Sequence, residues 1–378
     1  MNNQYKTYGW GIVGIVIILS LIWWGGSTKN TSVNNTEEPI KIGFIGPLTG
    51  GVALWGNIEK NSMELAREEI NENGGVNGRM LQVSYEDGKC NGKEAVTAGQ
   101  KLINEEGIRI IFPMCSAEIL AIAPLAQQTG SILLTSATHS EAAKAGDFVF
   151  RVSYSDADIA SIAAKTIAPQ FKKIGVLYEN VDYPLGIKNA FEKSATELGS
   201  QVITEAYERG AKDVRSQITK LRGKNVETVF IIVDGVDTAT VVLRQLRETG
   251  FSGQIYGNYF GDAEEIATMK ESEGLIYFSN PLVPENETKT SFFEKYRERY
   301  GSNPDIEFAA AQRYDAMMIL RRGLEKVGDD PQMLKKYFYE MEDFTGLLGT
   351  YRFTPEGDIT RLVPAVKTIK DGEAKVYE

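Results

Sequence analysis

The chain has 378 residues, 42% of them apolar, and its 51 acidic and 41 basic side chains give a net charge of −10. This length suits two domains or one large domain, and the acidic balance argues against a nucleic-acid partner, because phosphates are bound by clustered Lys and Arg. His139, Cys90 and Cys115 are the only histidine and cysteines, which excludes a zinc site of the usual Cys/His kind. We therefore predict neither a metal nor a cofactor.

The N-terminal region carries an apolar run, residues 8–24, of 17 residues without a charge. A membrane-spanning helix needs roughly 17–25 apolar residues, whereas the apolar core of a secretory signal has about 7–15. Trp23 and Trp24 at its end resemble an interfacial aromatic belt, and no A-x-A-like cleavage site follows. We favour an uncleaved membrane anchor over a cleaved signal peptide. Both interpretations export residues 25–378, with residues 25–39 as a flexible linker.

From residue 40 onward, short apolar runs alternate with segments of helical period. The first series has predicted strands at 40–46, 81–87, 108–113 and 131–136, with predicted helices at 58–73, 92–106 and 117–129. The second series has predicted strands at 173–179, 201–207, 228–233 and 254–258, with predicted helices at 184–198, 213–223 and 237–249. Such alternation indicates βαβ units and parallel sheets. We predict an α/β protein of two lobes, each with a doubly wound parallel sheet covered on both faces, separated near residues 151–154.

The C-terminal part breaks this alternation. Residues 282–345 have mainly helical patterns, and the later stretch LLGTYRFTPEGD is typical of a strand followed by a turn. A simple pair of consecutive domains would not need such a tail. It fits a chain that crosses between the lobes more than once.

Ligands of open parallel sheets bind beyond the carboxyl ends of the strands, so we searched the loops at those ends for chemistry. The first loop, residues 46–57, is rich in Gly but lacks the G-x-G-x-x-G pattern of dinucleotide sites, and the chain has no phosphate-loop or G-x-S-x-G motif. His139 follows the predicted strand 131–136, and we interpret it as a polar loop residue. The alternative, a catalytic base, needs a nucleophile and an orienting group beside it.

Two other strand-end loops place hydroxyl groups just before predicted helices. Ser116 lies in MCSAE and Thr138 lies in ATHSE. Hydroxyls together with the free N–H groups of a helix N-terminus suit a small carboxylate. Plain N-capping, for which Ser and Thr are favoured in any protein, stays open as the alternative for each loop.

Cys90 and Cys115 lie in adjacent strand-end loops. In an exported protein two cysteines at such sites are expected to pair. The closed loop of about 25 residues then contributes roughly 3 kcal/mol in the chain-entropy account. Two free thiols are the alternative.

The stretch that runs from IKIGFIGPLTGGVALWGN to MLQVSYED resembles the start of bacterial solute-binding proteins for branched-chain amino acids, which serve ABC importers. The resemblance extends over residues 40–378 and includes the GGVNGRMLQV turn, the LRQLRETGF stretch and the FTPEGD turn. It implies the type I periplasmic-binding-protein fold, two lobes joined by three crossovers, with a disulfide between Cys90 and Cys115. The implied division is a signal or anchor at 1–24, a linker at 25–39, a first lobe from 40–152 and 281–345, and a second lobe from 153–280 and 346–378.

The resemblance also implies a ligand site between the lobes, in which hydroxyls and N–H groups of the first lobe hold a carboxylate and aromatic residues pack the rest of the ligand. The implied ligand-binding residues are Trp55, Ser116, Ala137, Thr138, Tyr183, Tyr259 and Phe308. Many members carry an acidic residue that pairs with the ligand ammonium, and Tyr259 stands at that position here. Because a buried ammonium needs a counter-charge or several acceptors, Asp234, Asp237 or Asp262 is expected to replace it.

These observations predict an extracytoplasmic, non-enzymatic solute receptor that captures a small carboxylate, in first place an amino acid of the branched-chain type, and delivers it to the permease of an ABC importer. One alternative is a ligand-sensing ectodomain of the same fold that serves a signalling system. Another is a ligand of a different kind, such as an amide or an aromatic or hydroxy acid. An enzyme with His139 as its base is the rival from a different class.

Overall fold

A computed structural model describes residues 38–360 and 362–377. The predicted anchor or signal at 8–24 and the linker as far as residue 37 lie outside the described residues. Within the described ranges, no helix has both the length and the apolar character needed to span a membrane.

The first lobe is built on a five-stranded sheet with the spatial order β2-β1-β3-β4-β5, in which each neighbouring pair is parallel. Its strands are β1 (Ile40–Gly46), β2 (Leu81–Asp87), β3 (Ile110–Pro113), β4 (Ile132–Thr135) and β5 (Val149–Arg151). In β1, Phe44 joins the apolar cluster on one face and Ile45 the cluster on the other. A strand buried on both faces reads as a continuous apolar run, which is why the sequence pattern identified it.

The second lobe has a seven-stranded sheet with the order β14-β13-β10-β9-β8-β6-β7. Five strands run parallel: β6 (Lys173–Glu179), β7 (Gln201–Tyr207), β8 (Thr228–Ile232), β9 (Ile255–Gly257) and β10 (Ile276–Ser279). The last two strands, β13 (Ala365–Lys370) and β14 (Glu373–Val376), are antiparallel and extend the edge beside β10. This sheet also has apolar side chains buried on both faces, as Val176 and Leu177 illustrate.

Helices cover both sheets. Those of the first lobe are α1 (Ala53–Glu72), α2 (Gly92–Gln100), α3 (Ser116–Thr129), α9 (Glu287–Tyr300), α10 (Glu307–Val327) and α11 (Pro331–Glu340). Those of the second lobe are α4 (Asp156–Ile167), α5 (Asp182–Glu197), α6 (Arg215–Gly223), α7 (Val236–Glu248) and the short α8 (Glu264–Ala267). The two-lobed parallel α/β architecture predicted from the sequence is confirmed, including the predicted helix 92–106, which continues from α2 as a π-helical turn over Lys101–Glu105.

The described part of the chain crosses between the lobes three times, at residues 152–155, at residues 280–286 and after residue 351. Before the third crossing, β11 (Phe344–Gly346) and β12 (Gly349–Tyr351) form a hairpin. The backbone N–H groups of Leu347 and Leu348 donate to the Asp315 carboxylate on α10 at 2.8 and 2.9 Å. The exact lobe boundaries stay a prediction, but these contacts favour a boundary after the hairpin over one at residue 346.

The helix α1 begins five residues earlier than predicted, and a glycine in its first turn packs against the loop after β1. A Cβ at Gly56 would overlap the carbonyl oxygen of Pro47. Only glycine lets the first turn of α1 lie this close to the loop after β1. The Gly-rich loop predicted at 46–57 is therefore half helix, and its glycine serves backbone packing.

Candidate functional site

A cavity of about 510 Å³ lies between the lobes, beyond the carboxyl ends of the parallel strands. All seven implied ligand-binding residues line it. The first lobe contributes Trp55, Ser116, Ala137, Thr138 and Phe308, and the second contributes Tyr183 and Tyr259. The topology explains this convergence, because parallel strands bring all their carboxyl-terminal loops to one edge of each sheet.

The start of α3 forms one wall of the cavity. The buried Glu118 carboxylate accepts hydrogen bonds from the backbone N–H groups of Cys90, Met114 and Cys115, at 3.2, 3.2 and 2.9 Å. Burial raises the pKa of Glu118 to about 8, and these N–H donors oppose the rise. Glu118 thus takes the donors just before the helix, and Ser116 at the first helical position lines the cavity.

The predicted disulfide between Cys90 and Cys115 is present, with the two Cα atoms 5.3 Å apart. It joins the loop after β2 to the start of α3, beside Ser116. Its closed loop spans 25 residues, so it contributes roughly 3 kcal/mol by restricting the unfolded chain. The same covalent link holds the wall that carries the predicted carboxylate site.

Thr138 lies after β4, and its backbone is held from two sides. Its carbonyl oxygen accepts from the Asp156 N–H of α4 at 2.7 Å and from Arg151 Nη1 at 3.0 Å. Arg151 also donates to the His139 carbonyl at 2.7 Å and forms an ion pair with Asp358. These contacts fix the loop that brings Ala137 and Thr138 to the cavity.

Aromatic rings close the cavity across the cleft. The Trp55 ring of the first lobe meets the Tyr259 ring of the second edge-on, with centroids 4.8 Å apart, and Tyr183 lies 5.8 Å from Tyr259. Burial holds the pKa values of both tyrosines well above 10, so their hydroxyls stay protonated. Phe308 packs against Tyr154 at 5.5 Å on another part of the wall. An apolar ligand portion would find rings from both lobes here.

The three acidic residues expected to replace the ammonium partner differ in position. Asp234 lines the cavity and forms an ion pair with Arg209, and burial raises its pKa to about 6 against the opposing effect of that cation. Asp237 is exposed and lies in the neighbouring part of the cleft. Asp262 lies outside the cavity, because its carboxylate pairs with Lys367 at 2.7 Å and accepts from Tyr277 at 3.1 Å. The geometry therefore places Asp262 away from the cavity and favours Asp234.

A buried polar network on the cavity wall was missed by the sequence analysis. Glu59 accepts from Arg313 Nε at 2.8 Å, Gln312 Nε2 at 2.9 Å and Ser136 Oγ at 2.9 Å, and Glu59 and Arg313 are each 1% exposed. Glu59, Gln312 and Ser136 line the cavity. Helical spacing could have identified two of these residues as cavity-lining, because Glu59 follows Trp55 by four residues and Gln312 follows Phe308 by four.

His139 does not line the cavity. Its Nδ1 accepts from the Glu141 N–H at 3.2 Å, and burial lowers its pKa. This contact is typical of a polar loop residue, as the sequence analysis interpreted it. The position gives no support to the rival enzyme with His139 as its base.

Asp156, at the start of α4, predicts a distinctive pH dependence of stability. It is fully buried. Burial raises its pKa to about 7, while the nearby Thr138 hydroxyl and Arg151 act in the opposite direction. A group whose pKa rises on folding stabilises the fold at low pH, and this contribution is lost as the pH rises through about 7.

We expect wild type to lose about 1.6 kcal/mol of unfolding free energy between pH 5.5 and 7 relative to Asp156→Asn, since one proton is worth about 1.4 kcal/mol per pH unit and is half released when the pH equals the pKa. Urea unfolding of both proteins at the two pH values measures this difference. Buried acids other than Asp156 affect both proteins alike. Equal changes in the two proteins would show that Asp156 is not protonated in the folded state.

The comparisons with known proteins agree with this architecture. A family model described as "Periplasmic binding protein" matches residues 39–373. The leucine-, isoleucine-, valine-, threonine- and alanine-binding protein of Pseudomonas aeruginosa is 27% identical over 339 residues, which cover 87% of this chain and 89% of the relative.

Two solved structures are similar over nearly their whole length. The leucine-binding protein LivK of Thermotoga maritima superposes with a TM-score of 0.80 at 26% identity, covering 90% of this chain and 98% of that one. An ABC transporter substrate-binding protein of Desulfitobacterium hafniense in complex with Leu gives a TM-score of 0.72 at 26% identity, covering 90% of this chain and all of that one. The fold is thus the type I periplasmic-binding-protein fold.

Proposed function

The chain belongs to the periplasmic binding protein family, and from this premise we propose that it is an extracytoplasmic receptor that captures an amino acid and delivers it to the permease of an ABC importer. The observation that carries the proposal is the cavity between the lobes, which Ser116, Ala137 and Thr138 line from one lobe and Tyr183 and Tyr259 from the other. The names of the relatives make branched-chain amino acids the first ligands to test.

In the proposed complex the ligand carboxylate lies at the start of α3. The hydroxyls of Ser116 and Thr138 and nearby backbone N–H groups donate to it, and the partial positive charge at the helix N-terminus adds to its stabilisation. Trp55, Tyr183, Tyr259 and Phe308 pack against the remainder of the ligand.

The ligand ammonium is balanced by the second lobe. Asp234 lines the cavity, and Arg209 pairs with it and lies 3.7 Å from Glu179. Two carboxylates thus face one guanidinium, so this group of three side chains keeps one net negative charge. A cationic group at the cavity wall gains from that charge, because opposite charges attract more strongly away from bulk water.

Ligand capture couples to lobe closure. A ligand that contacts both lobes binds the closed form better than the open form and therefore shifts the population toward it. The Trp55–Tyr259 ring contact across the cleft belongs to such a closed arrangement. The closed receptor is the form that we propose docks on the permease.

A thermal-shift screen of the full-length chain tests the proposal. A ligand at 100 times its Kd stabilises the folded state by about 2.7 kcal/mol, so at least one amino acid should raise the melting temperature. The matched control is the same amino acid with its α-carboxylate converted to an amide, which should lose the effect because the anion is gone. No shift with any amino acid, or equal shifts with acid and amide, would rule out carboxylate capture.

A further inference from the structure

Three buried polar side chains at the cavity each have an atom without a hydrogen-bond partner in the described part of the chain. These atoms are Ser153 Oγ, Asn280 Nδ2 and Gln312 Oε1, and their residues are 1%, 5% and 3% exposed. All three residues line the cavity. Buried polar groups in native proteins are nearly always paired, so three residues with an unpaired atom around one cavity point to a polar partner inside it. We call these residues the crossover polar cluster.

In Asn280 and Gln312, one atom of the side-chain amide is already hydrogen-bonded, so only the other atom can bind a ligand. Asn280 Oδ1 accepts from the Tyr154 hydroxyl at 2.9 Å, which leaves the amide nitrogen as a donor. Gln312 Nε2 donates to Glu59 Oε1 at 2.9 Å, which leaves its Oε1 as an acceptor. The Ser153 hydroxyl can donate or accept. The cluster therefore offers one donor, one acceptor and one group of either kind.

The fold gathers these groups in one region of the cavity. Ser153 lies on the first crossover and Asn280 on the second. Gln312 follows Phe308 by one turn of α10, and the Phe308 ring contacts the ring of Tyr154, whose hydroxyl binds Asn280. Since Tyr154 adjoins Ser153 in the chain, the Phe308–Tyr154 contact links all three members of the cluster.

We propose that the crossover polar cluster binds a primary carboxamide at the end of the ligand side chain. The carboxamide oxygen accepts from Asn280 Nδ2, and its NH₂ group donates to Gln312 Oε1 and Ser153 Oγ. This proposal rests on the proposed function, because the α-carboxylate of the same ligand lies at Ser116 and Thr138. The proposed ligands are therefore amino acids with a carboxamide side chain, such as glutamine or asparagine.

Ligands with other kinds of side chain match the crossover polar cluster less well. An aliphatic side chain leaves the Asn280 donor and the Gln312 acceptor unpaired, and such orphaned groups strongly disfavour the wrong ligand. A side-chain carboxylate has no proton for Gln312 Oε1 and lies close to the buried Glu59 carboxylate. A primary amide offers an acceptor oxygen and two N–H donors, whereas a hydroxyl has a single O–H donor.

Isothermal titration of the full-length chain with L-glutamine, L-asparagine, L-leucine and L-glutamate tests the proposal. We expect glutamine or asparagine to bind at least tenfold more tightly than leucine and glutamate. Ser153→Ala should weaken the carboxamide ligand about three- to tenfold and leave leucine within threefold. Ser62→Ala is the matched control, because Ser62 is equally buried with an unpartnered hydroxyl but does not line the cavity.

Asn280→Asp provides a second variant that keeps the acceptor for Tyr154 but replaces the free donor with an acceptor. It should weaken the carboxamide ligand at least tenfold and change leucine much less. Leucine binding as tightly as the carboxamides, or variants that affect both ligands equally, would overturn the inference while leaving amino-acid capture intact. If no amino acid binds at all, both the inference and the proposed function fail.

Discussion

Replacing Ser116 with alanine together with Thr138 with valine is expected to weaken amino-acid binding by roughly 2–5 kcal/mol, or about 30-fold to several thousand-fold. Both side chains line the cavity, one at the first position of α3 and the other after β4. Each substitution removes a hydroxyl donor while keeping a similar side-chain volume. The ligand carboxylate then enters a buried site with two of its partners missing, and a buried anion without partners is costly.

Titration calorimetry or the change in Trp fluorescence measures the affinity of the double variant. Thr129→Val with Ser131→Ala is the matched control, because these hydroxyls pair with each other at 2.9 Å at the opposite end of α3 and do not line the cavity. The control should bind like wild type. Unaltered affinity in the Ser116/Thr138 variant would remove these residues from the binding site.

Arg313→Met should lower the free energy of unfolding by roughly 3–5 kcal/mol, because it leaves the buried Glu59 carboxylate without its cation. The Arg313 guanidinium donates to Glu59 and to Ser136 Oγ, at 2.9 Å for the latter, and it lies 5.5 and 5.1 Å from the ring centroids of Phe44 and Phe112. Methionine can occupy the space between the rings but cannot neutralise the acid. Urea unfolding measures the loss.

Two further variants separate charge from packing. Adding Glu59→Gln to Arg313→Met should recover much of the loss, since breaking a buried pair costs more than replacing both partners. Arg321→Met removes an exposed pair with Glu325 on the same helix, and it should cost no more than about 0.5 kcal/mol. An Arg313→Met protein within 1 kcal/mol of wild type would show that the fold does not depend on the pairing of Glu59 with this cation.

Much of the secondary structure could be predicted because its signals are local. The strands β1, β2, β6 and β7 begin and end at the predicted residues. The short strands β5 and β10 were not predicted, although the equally short β3, β4 and β9 were. The antiparallel pair β13–β14 was not placed either, since nothing in those residues states which sheet edge they extend.

The candidate site also combines residues that local sequence patterns predict with contacts that such patterns do not show. Ser116 and Thr138 could be proposed from the sequence because strand-end hydroxyls before a helix form a local pattern, and both residues line the cavity. The ion pair of Asp262 with Lys367 could not be predicted, because the two residues lie 105 positions apart in the chain. Glu59 and Gln312 are 253 residues apart and were invisible as a pair.

Local patterns in the sequence were enough to predict the alternation of strands and helices, the parallel sheets and the family resemblance, because apolar period and turn residues act between near neighbours. The pairing of the buried charges, the acid that lines the cavity and the unpaired polar atoms around it became known from the three-dimensional structure. These features depend on contacts between residues far apart in the chain. Because little water reaches the protein interior, each such contact decides whether a buried polar group has a hydrogen-bond partner.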